Sequence, residues 1–300
     1  MLLFSRIGLG FIKFTGIFPW WLLHVNSKVW AFIICYILRY RRKVVDENLN
    51  RVGAEGIDLR KVYLNLTDLA FESAKLFTVK PSKIDSRLSY ENIEILDDLY
   101  NQGKNVILVG GHMANWEMFS LPMPKKLKHK TVAIYKKFNN SVFDKAIVKS
   151  RSRGGMQIVE MNELGEFLYS GLNNGPVLLS MIFDQSPRNP SKAYWTNFLG
   201  VETPVYSGIE KFAMRMDAAV VYAAIRRTGR GRYTMSFSLL ENNINNLERG
   251  SIIEKCCIEL ENEIVACPES WLWTHRRWKH KRPSDINLHE RKIAKFGGWC

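Results

Sequence analysis

Two side chains able to move a proton follow a pair of glycines. His112 and Glu117, with four residues between them, stand in the segment Val109-Gly110-Gly111-His112-Met113-Ala114-Asn115-Trp116-Glu117. We expect His112 to lie in a loop that opens a helix, where the positive end of the helix dipole favours a neutral imidazole. A carboxylate bonded to one ring nitrogen, the role expected of Glu117, fixes the tautomer and stabilises the imidazolium. The pair is interpreted as a general base and its orienting acid, suited to deprotonating a hydroxyl that is itself the nucleophile.

Other interpretations of this pair stay open. His112 could cap a helix while Glu117 is only solvated, because a histidine and a glutamate at this spacing often occur by chance. A zinc site is disfavoured, because no third ligand is evident and the HExxH pattern is absent. No GxSxG-like segment offers a competing serine or cysteine nucleophile. We therefore expect neither a metal nor an organic cofactor.

Alternating strand and helix patterns would position these residues. Short apolar runs predict buried strands at 105–109, 132–135, 176–183 and 218–224, and the alternation over 233–239 is typical of an exposed or edge strand. Helical patterns cover 46–99 and lie between the runs at 115–121, 142–153, 164–173, 208–216 and 252–265. This order indicates a single α/β domain whose largely parallel central sheet is flanked by helices.

Polar residues follow two of the predicted strands. Gly110-Gly111-His112 comes after the first run, and Asp184-Gln185 comes after Phe183 at the end of the third. In open α/β sheets the chemistry is located beyond the carboxyl ends of strands. Both strand ends are therefore candidate positions for the chemistry.

The first 45 residues differ from the rest of the chain. They are basic and apolar, contain Trp20, Trp21 and Trp30, and have no acidic residue before Asp46. We expect a membrane-associated helical segment, either a marginal span or two interfacial helices, because about 20 uninterrupted apolar residues are needed to cross a bilayer. The basic block 39–43 would place the catalytic domain, 46–300, in the cytoplasm. A buried helical hairpin is the alternative, and a signal peptide is weaker because no small-residue cleavage site follows.

Composition narrows the class of partner. The chain of 300 residues has 43 Lys and Arg against 29 Asp and Glu, a net charge of +14, so an anionic partner is expected. The hydrophobic fraction of 46% excludes disorder as the dominant state. Five cysteines without CxxC spacing argue against a disulfide framework and fit a reducing compartment.

Five segments, which together cover nearly the whole chain, resemble a known enzyme family. His112-x4-Glu117 resembles the H-x4-[DE] motif of the glycerolipid and lysophospholipid acyltransferase superfamily. Residues 149–155 resemble its Arg-x-Arg-Gly segment, and Asp184-Gln185-Ser186 resembles a second block. Residues 268–279 are very close to the PEQWLWxHRRWK signature of the bacterial lipid A late acyltransferases, the lauroyl and myristoyl transferases, although Ser270 stands where Gln is usual. Residues 40–49 are also similar to the stretch YRRKVVxENL after their membrane anchor.

The resemblance implies an O-acyltransferase on the cytoplasmic face of the bacterial inner membrane. It would move a fatty acyl chain from an acyl carrier protein thioester to a hydroxyl of a lipid A precursor. Family analogy assigns Arg151 or Arg153 to the acceptor phosphate or the oxyanion, which suits the bidentate guanidinium. Asp184 and Gln185 would shape the pocket, although Asp184 could instead be only a helix N-cap.

The segment after residue 270 interleaves aromatic and cationic side chains. We expect Trp271 and Trp273 to face the core, and Arg276, Arg277 and Lys279 to hold the acceptor phosphates or the carrier protein. Interleaving of this kind can also stack nucleic-acid bases. No RNP or helix-turn-helix pattern is present, so no nucleic-acid partner is expected. Structural pairing of Arg276 and Arg277 with carboxylates is a further alternative.

Three competing functions remain at this point. The same fold could acylate another bacterial lipid, such as an aminolipid, a lysophospholipid or a glycolipid. The His–Glu pair could serve a thioesterase-like hydrolase if water reached it. A membrane-tethered nucleic-acid-binding protein is the alternative from a different functional class.

Overall fold

A central β-sheet organises the described part of the chain. The computed structural model describes residues 2–54, 56–170, 175–244 and 247–289. In these residues seven strands form one sheet in the order β1-β9-β8-β2-β5-β3-β4, and β6 and β7 form a separate antiparallel hairpin. In chain order the strands are β1 (Leu88–Glu91), β2 (Asn105–Gly110), β3 (Lys130–Tyr135), β4 (Gln157–Glu160), β5 (Val177–Ile182), β6 (Tyr194–Phe198), β7 (Val201–Val205), β8 (Ala218–Gly229) and β9 (Arg232–Glu241).

Helices precede the sheet and flank it on both faces. They are α1 (Leu2–Ile17), α2 (Trp20–Phe32), α3 (Arg42–Arg51), α4 (Leu59–Leu76), α5 (Pro81–Asp85), α6 (Glu94–Asn101), α7 (Met123–Lys126), α8 (Ser141–Ser152), α9 (Leu164–Ser170), α10 (Gly208–Met216) and α11 (Ser251–Ala266). A π-helical turn (Ile33–Ile37) extends α2, and 3₁₀ turns cover Trp116–Ser120, Pro190–Lys192 and Pro268–Ser270.

The predicted fold class is confirmed. All pairings in the large sheet are parallel except β8 with β9, so the domain is α/β with a mostly parallel sheet. Four of the predicted strands are found as β2, β3, β5 and β8. The continuous apolar run of β2 has a physical cause: Ile107 and Val109 enter the core on one face of the sheet, and Val106 and Leu108 enter the core on the other.

Some elements differ from the sequence prediction. The strand over 233–239 is not at an edge, because β1 pairs with β9 on the side away from β8. The short strand β1 lies within the stretch 46–99 that was predicted to be helical. The helix predicted over 115–121 is a five-residue 3₁₀ turn. A helix was predicted over 164–173, and its last three residues (171–173) lie outside the described residues. Residues 290–300 of the predicted catalytic domain also lie outside them.

The N-terminal helices pack against α4. Thr78 Oγ1 donates to the Gly16 carbonyl at 2.7 Å, and a Cβ at Gly16 would lie 2.3 Å from the Ala74 carbonyl oxygen. Only glycine permits this close approach of α1 to α4. The outer surface of α1 and α2 carries large exposed apolar side chains, among them Phe4, Ile7, Phe11, Phe14, Trp21 and Trp30.

No single helix among the described residues is long and apolar enough to cross a membrane. One bent pair, Trp20–Ile37 with α3, meets the length and composition criteria together, with an angle of 81° between its parts. Among the described residues Cys35, Cys256, Cys257 and Cys267 form no disulfide, and Cys300 lies outside the described residues.

Candidate active site

The two polar strand ends meet because β2 and β5 are adjacent and parallel. Gly110 is opposite Ile182 in their register, so the residues two positions further on, His112 and Asp184, face each other. A Cβ on Gly111 would lie 2.4 Å from Leu260 Cδ1 and 3.4 Å from Asp184 Oδ2. The Gly110-Gly111 pair therefore lets the loop after β2 lie tightly against α11 and Asp184.

A second segment fixes the loop that carries His112. The Ala114 N–H donates to the Ser270 carbonyl at 2.9 Å, and Met113 forms an isolated antiparallel bridge with Trp271. Ala114 has a φ of 47°, a left-handed conformation that a non-glycine residue adopts only when its surroundings impose it. The signature segment near the C-terminus is thus part of the loop's support.

The carboxylate of Asp184 binds His112 at two points. The ring Nδ1 lies 2.5 Å from Asp184 Oδ1, and the His112 backbone N–H donates to Oδ2 at 2.9 Å. The Trp271 indole N–H also donates to Oδ2, at 2.8 Å. Asp184 is only 4% exposed, so these donors replace water around its charge.

These contacts keep Asp184 ionised and select the tautomer of His112. Burial alone would raise the pKa of Asp184, but the neighbouring His112 and the hydrogen bonds from His112 and Trp271 lower that pKa to about 2. The ionised carboxylate can only accept hydrogen bonds, so Nδ1 of His112 carries the ring proton. In the neutral imidazole this leaves the free electron pair on Nε2, and the Gln185 amide lies 3.1 Å from that atom.

An apolar groove lies beside the ring. It lies between α4 and the segment 270–274 with a cavity volume of about 10 Å³, and His112 and Trp116 form part of its wall. The Trp116 indole packs edge-on against the His112 ring, with 4.6 Å between the ring centroids. The side chains of α4 that line the groove are mostly aliphatic: they are Val62, Leu66 and Leu69, together with Asn65. A hydrocarbon chain is the ligand that such a wall suits.

Glu117 does not orient His112, contrary to the sequence prediction. Its Oε2 accepts from the Arg151 Nε at 3.0 Å, its Oε1 accepts from Arg151 Nη2, and the Trp116 indole N–H donates to Oε1 at 3.2 Å. The prediction assumed that an α-helix follows His112. The structure has a 3₁₀ turn there, and this turn directs Glu117 towards α8. The acid that holds His112 comes from another strand.

A close backbone approach places Arg151 next to Glu117. A Cβ on Gly154 would lie 1.9 Å from the Leu121 carbonyl oxygen, so only glycine lets the chain after α8 contact the end of the Trp116–Ser120 turn. Arg151 is in the last turn of α8, three residues before this contact. The Arg-x-Arg-Gly segment is thereby docked against the residues that follow His112.

A comparison with known protein families identifies the family to which the chain belongs. Residues 3–280 match the model of the bacterial lipid A biosynthesis acyltransferase family. The chain belongs to this family. It is therefore an acyltransferase of the lipid A biosynthesis type. A comparison with curated proteins gave no match.

In this lipid A biosynthesis acyltransferase, the two arginines of the Arg-x-Arg-Gly segment have different surroundings. Arg151 pairs with Glu117, which accepts from the Trp116 indole. That indole in turn packs against the His112 ring. Arg153 instead donates to the carbonyls of Leu76 and Val79 at 2.6 and 2.7 Å, where α4 ends. Arg151 thus lies near the candidate base. Arg153 instead provides hydrogen bonds to backbone carbonyls at the C-terminal end of α4.

The two arginines of the C-terminal signature also differ in this acyltransferase. Arg276 is exposed, but Arg277 is only 2% exposed and donates to the Pro204 carbonyl at 2.9 Å. Burial lowers the pKa of Arg277 to about 10, partly offset by the charge of Asp184. The predicted substrate contact of Arg277 is wrong for these reasons: the guanidinium is enclosed by protein and bound to backbone.

The tryptophans of the acyltransferase signature are buried, as predicted for Trp271 and Trp273. Trp271 packs edge-on against Trp273 and Trp278, with centroid separations of 4.8 and 6.0 Å. Trp273 donates to the Pro268 carbonyl and Trp278 to Thr203 Oγ1, both at 2.7 Å. Rings packed in this way have no free face on which a nucleic-acid base could stack, so the segment does not support base stacking.

Sequence reasoning missed the part played by His275. Its Nε2 accepts from the Ser186 N–H at 3.0 Å, two residues after Asp184. Burial and the charge of Arg277 lower the pKa of His275 to about 4, so the ring is neutral and free to accept. In the sequence, only the position of His275 inside the signature segment drew attention to it. That position does not reveal that Ser186 is its hydrogen-bond partner.

A buried cluster next to the loop has the residue types of a metal site. His24, Asp68 and Glu72 bring ligand atoms within 4.8 Å of one another. The Asp68 oxygens accept from Arg227, Arg230 and Ser27, while Glu72 Oε2 accepts from Asn115 and Tyr233, both at 2.7 Å. These donors already occupy the carboxylates, so the cluster joins α2 and α4 to the catalytic loop at Asn115.

Proposed function

We propose that this protein transfers a fatty acyl chain from an acyl carrier protein thioester to a hydroxyl of a lipid A precursor. The observation that carries the proposal is the contact of His112 Nδ1 with Asp184, together with the place of the His112 ring in the wall of an apolar groove. A base beside a hydrocarbon-lined groove suits an alcohol and a fatty thioester as co-substrates.

Proton movement follows from the tautomer. The acceptor hydroxyl displaces the Gln185 amide from Nε2 of His112 and gives its proton to that nitrogen. The oxygen attacks the thioester carbonyl, and the tetrahedral intermediate collapses by breaking the C–S bond. The departing thiolate takes the proton back from Nε2, so His112 is neutral again at the end. Asp184 stabilises the imidazolium formed between these two steps.

Arg151 is the cation available to the developing negative charge. Glu117 accepts from Nε and Nη2 of Arg151, and the Nη1 N–H groups make no hydrogen bond to any described residue. The proposal gives Glu117 the role of holding Arg151, whose remaining N–H groups bind the oxyanion or an acceptor phosphate.

Membrane association through α1 and α2 is part of this proposal. Phe4, Ile7, Phe11 and Phe14 recur at helical spacing on one exposed face of α1, and Trp21 is exposed on α2. The basic residues 39–43 follow directly, where anionic headgroups would lie. We assign the enzyme to the cytoplasmic face of the bacterial inner membrane, where carrier-bound donor and lipid acceptor meet.

The experiment that tests the function uses the purified full chain with acyl carrier protein thioester and a disaccharide lipid A precursor. Mass spectrometry should find the precursor heavier by one acyl chain, and lipids from cells lacking the gene should lack that species. Acylation of a lysophospholipid, aminolipid or glycolipid instead would contradict the acceptor. Release of free fatty acid alone would indicate a hydrolase.

Vesicle binding tests the membrane part separately. The partition coefficient onto phosphatidylethanolamine–phosphatidylglycerol vesicles, measured by co-sedimentation, should fall by roughly 10²-fold or more for Phe11→Ser/Trp21→Ser, because burial of each aromatic side chain contributes about 1.5–3 kcal/mol. Met214→Ser/Ile258→Ser is the matched control, since both side chains are exposed and apolar but lie elsewhere, on α10 and α11. Equal loss in both variants would contradict a specific membrane surface.

A further inference from the structure

A recess lies between α3 and the signature segment. Its cavity volume is about 180 Å³, and the side chains of Arg51, Arg276 and Lys279 line it. We infer that this recess binds a phosphate monoester on the headgroup of the lipid acceptor. The inference rests on the proposed function and adds to it the position and chemistry of an acceptor subsite, with Arg51 as a residue that no sequence motif indicated.

The charges in the recess are not compensated within the protein. Arg51, Arg276 and Lys279 form no ion pair with any residue in the described ranges, whereas Glu47, the one acid in the wall, lies 4.0 Å from Lys43. Three cations against one carboxylate suit a ligand with close to two negative charges. A phosphate monoester carries about −1.5 to −2 near neutral pH.

The walls that carry these cations are held rigidly relative to each other. The buried Asn48 on α3 donates to the carbonyls of Trp273 and His275, both at 2.8 Å. Trp278, also in the wall, is anchored through its indole N–H to Thr203. A fixed arrangement lowers the entropic cost of ordering long cationic side chains around an anion.

The recess is close to the candidate base through one short segment. Trp271 and Thr274 line the groove beside His112, and Arg276 and Lys279 line the recess. Arg276 follows Thr274 by two positions, which is at most about 7 Å of chain. His275, between them, holds Ser186 next to the Asp184-Gln185 pair. One headgroup can therefore reach both places, with its phosphate in the recess and a hydroxyl near Nε2 of His112.

Two features favour a lipid phosphate over the acidic carrier protein. The cations converge in a concavity, whereas a folded acidic protein presents carboxylates spread over a convex surface. Two of the three cations are guanidinium groups, whose donor forks match the oxygens of a single phosphate.

The test measures acyl transfer by the full chain in detergent micelles, with acceptor precursor either phosphorylated or enzymatically dephosphorylated. For Arg51→Gln/Arg276→Gln, the KM for the phosphorylated acceptor should rise roughly 10- to 100-fold, as expected for lost charge-assisted hydrogen bonds. The KM for the dephosphorylated acceptor should not differ between this variant and the wild type.

The matched control is Lys145→Gln/Arg215→Gln, which removes the same charge from exposed side chains on α8 and α10 that form no ion pair in the described structure. It should leave both KM values unchanged, and thermal unfolding should show all variants folded. An equal KM change in test and control variants, or a raised KM for the carrier-protein donor instead of the acceptor, overturns the inference.

Inorganic phosphate distinguishes the source of the anion. It should compete with the phosphorylated acceptor only at concentrations far above the acceptor KM, because it lacks the sugar and the acyl chains. Competition as strong as that of the lipid would make the recess a site for free phosphate and overturn the inference. Failure of the proposed function is distinguishable, because wild-type protein would then acylate neither acceptor.

Discussion

Nδ1 of His112 lies 2.5 Å from Oδ1 of Asp184, although 72 positions separate the two residues in the chain. The second oxygen of the same carboxylate accepts the His112 backbone N–H at 2.9 Å. Asp184 therefore fixes both the ring and the loop that carries it. Their meeting depends on the neighbouring positions of β2 and β5 in the sheet.

Replacement of Asp184 by asparagine should abolish most activity without unfolding the protein. An asparagine amide that donates to Nδ1 of His112 would leave the ring proton on Nε2, which then cannot accept the hydroxyl proton. We expect kcat of Asp184→Asn to fall by roughly 10²- to 10⁴-fold. Asp98→Asn, which replaces an exposed carboxylate on α6, is the control and should behave as wild type. Near wild-type kcat in Asp184→Asn would show that the tautomer is not set by this residue.

Glu117 and Arg151 should act as a unit. Because Glu117 holds Arg151 through two hydrogen bonds, loss of either side chain removes the same function. Glu117→Gln and Arg151→Gln should each lower kcat/KM, and the double variant should be little worse than the more impaired single variant. The coupling energy from this cycle should be about 1–3 kcal/mol. Strictly additive losses would mean that the two residues act independently.

His275 should make stability depend on pH. Its folded-state pKa of about 4 lies below the ordinary value of 6.5, so the unfolded chain binds a proton first as pH falls. The contribution is complete above pH 6.5 and declines as pH falls from 6.5 towards 4. The Tm of wild type should therefore drop more over this window than that of His275→Gln, whose amide oxygen can still accept from Ser186. Parallel Tm profiles would contradict a neutral, half-buried His275.

Much of the fold could be predicted because the strands β2 and β5 are buried on both faces, which gives continuous apolar runs. Strands β1 and β4 have four residues each, too few to produce a recognisable pattern. His112 and the Asp184-Gln185 pair were correctly expected beyond strand ends. Their mutual contact could not be derived, because strand order is a property of the folded sheet. Helical spacing assigned Glu117 to His112 and failed because the local turn is 3₁₀.

Because Arg277 is buried, the effect of a substitution on stability should depend more on the size of the new side chain than on the loss of charge. Its guanidinium is enclosed, and its Nε has no hydrogen-bond partner among the described residues. Arg277→Met keeps most of the volume without a buried charge and should change the free energy of unfolding by less than about 1.5 kcal/mol. Arg277→Ala leaves a cavity and should cost about 3–5 kcal/mol in denaturant unfolding. A folded Arg277→Met with a roughly tenfold higher acceptor KM would instead indicate direct substrate contact.

Acyl transfer depends above all on His112 as the base that deprotonates the acceptor hydroxyl. The most direct test is the single-turnover rate of acyl transfer by His112→Ala, measured with saturating donor and acceptor and with thermal unfolding to verify the fold. We predict a rate lower by roughly 10²- to 10⁴-fold in a protein that remains folded. A folded His112→Ala protein that transfers acyl chains at close to the wild-type rate would contradict the mechanism.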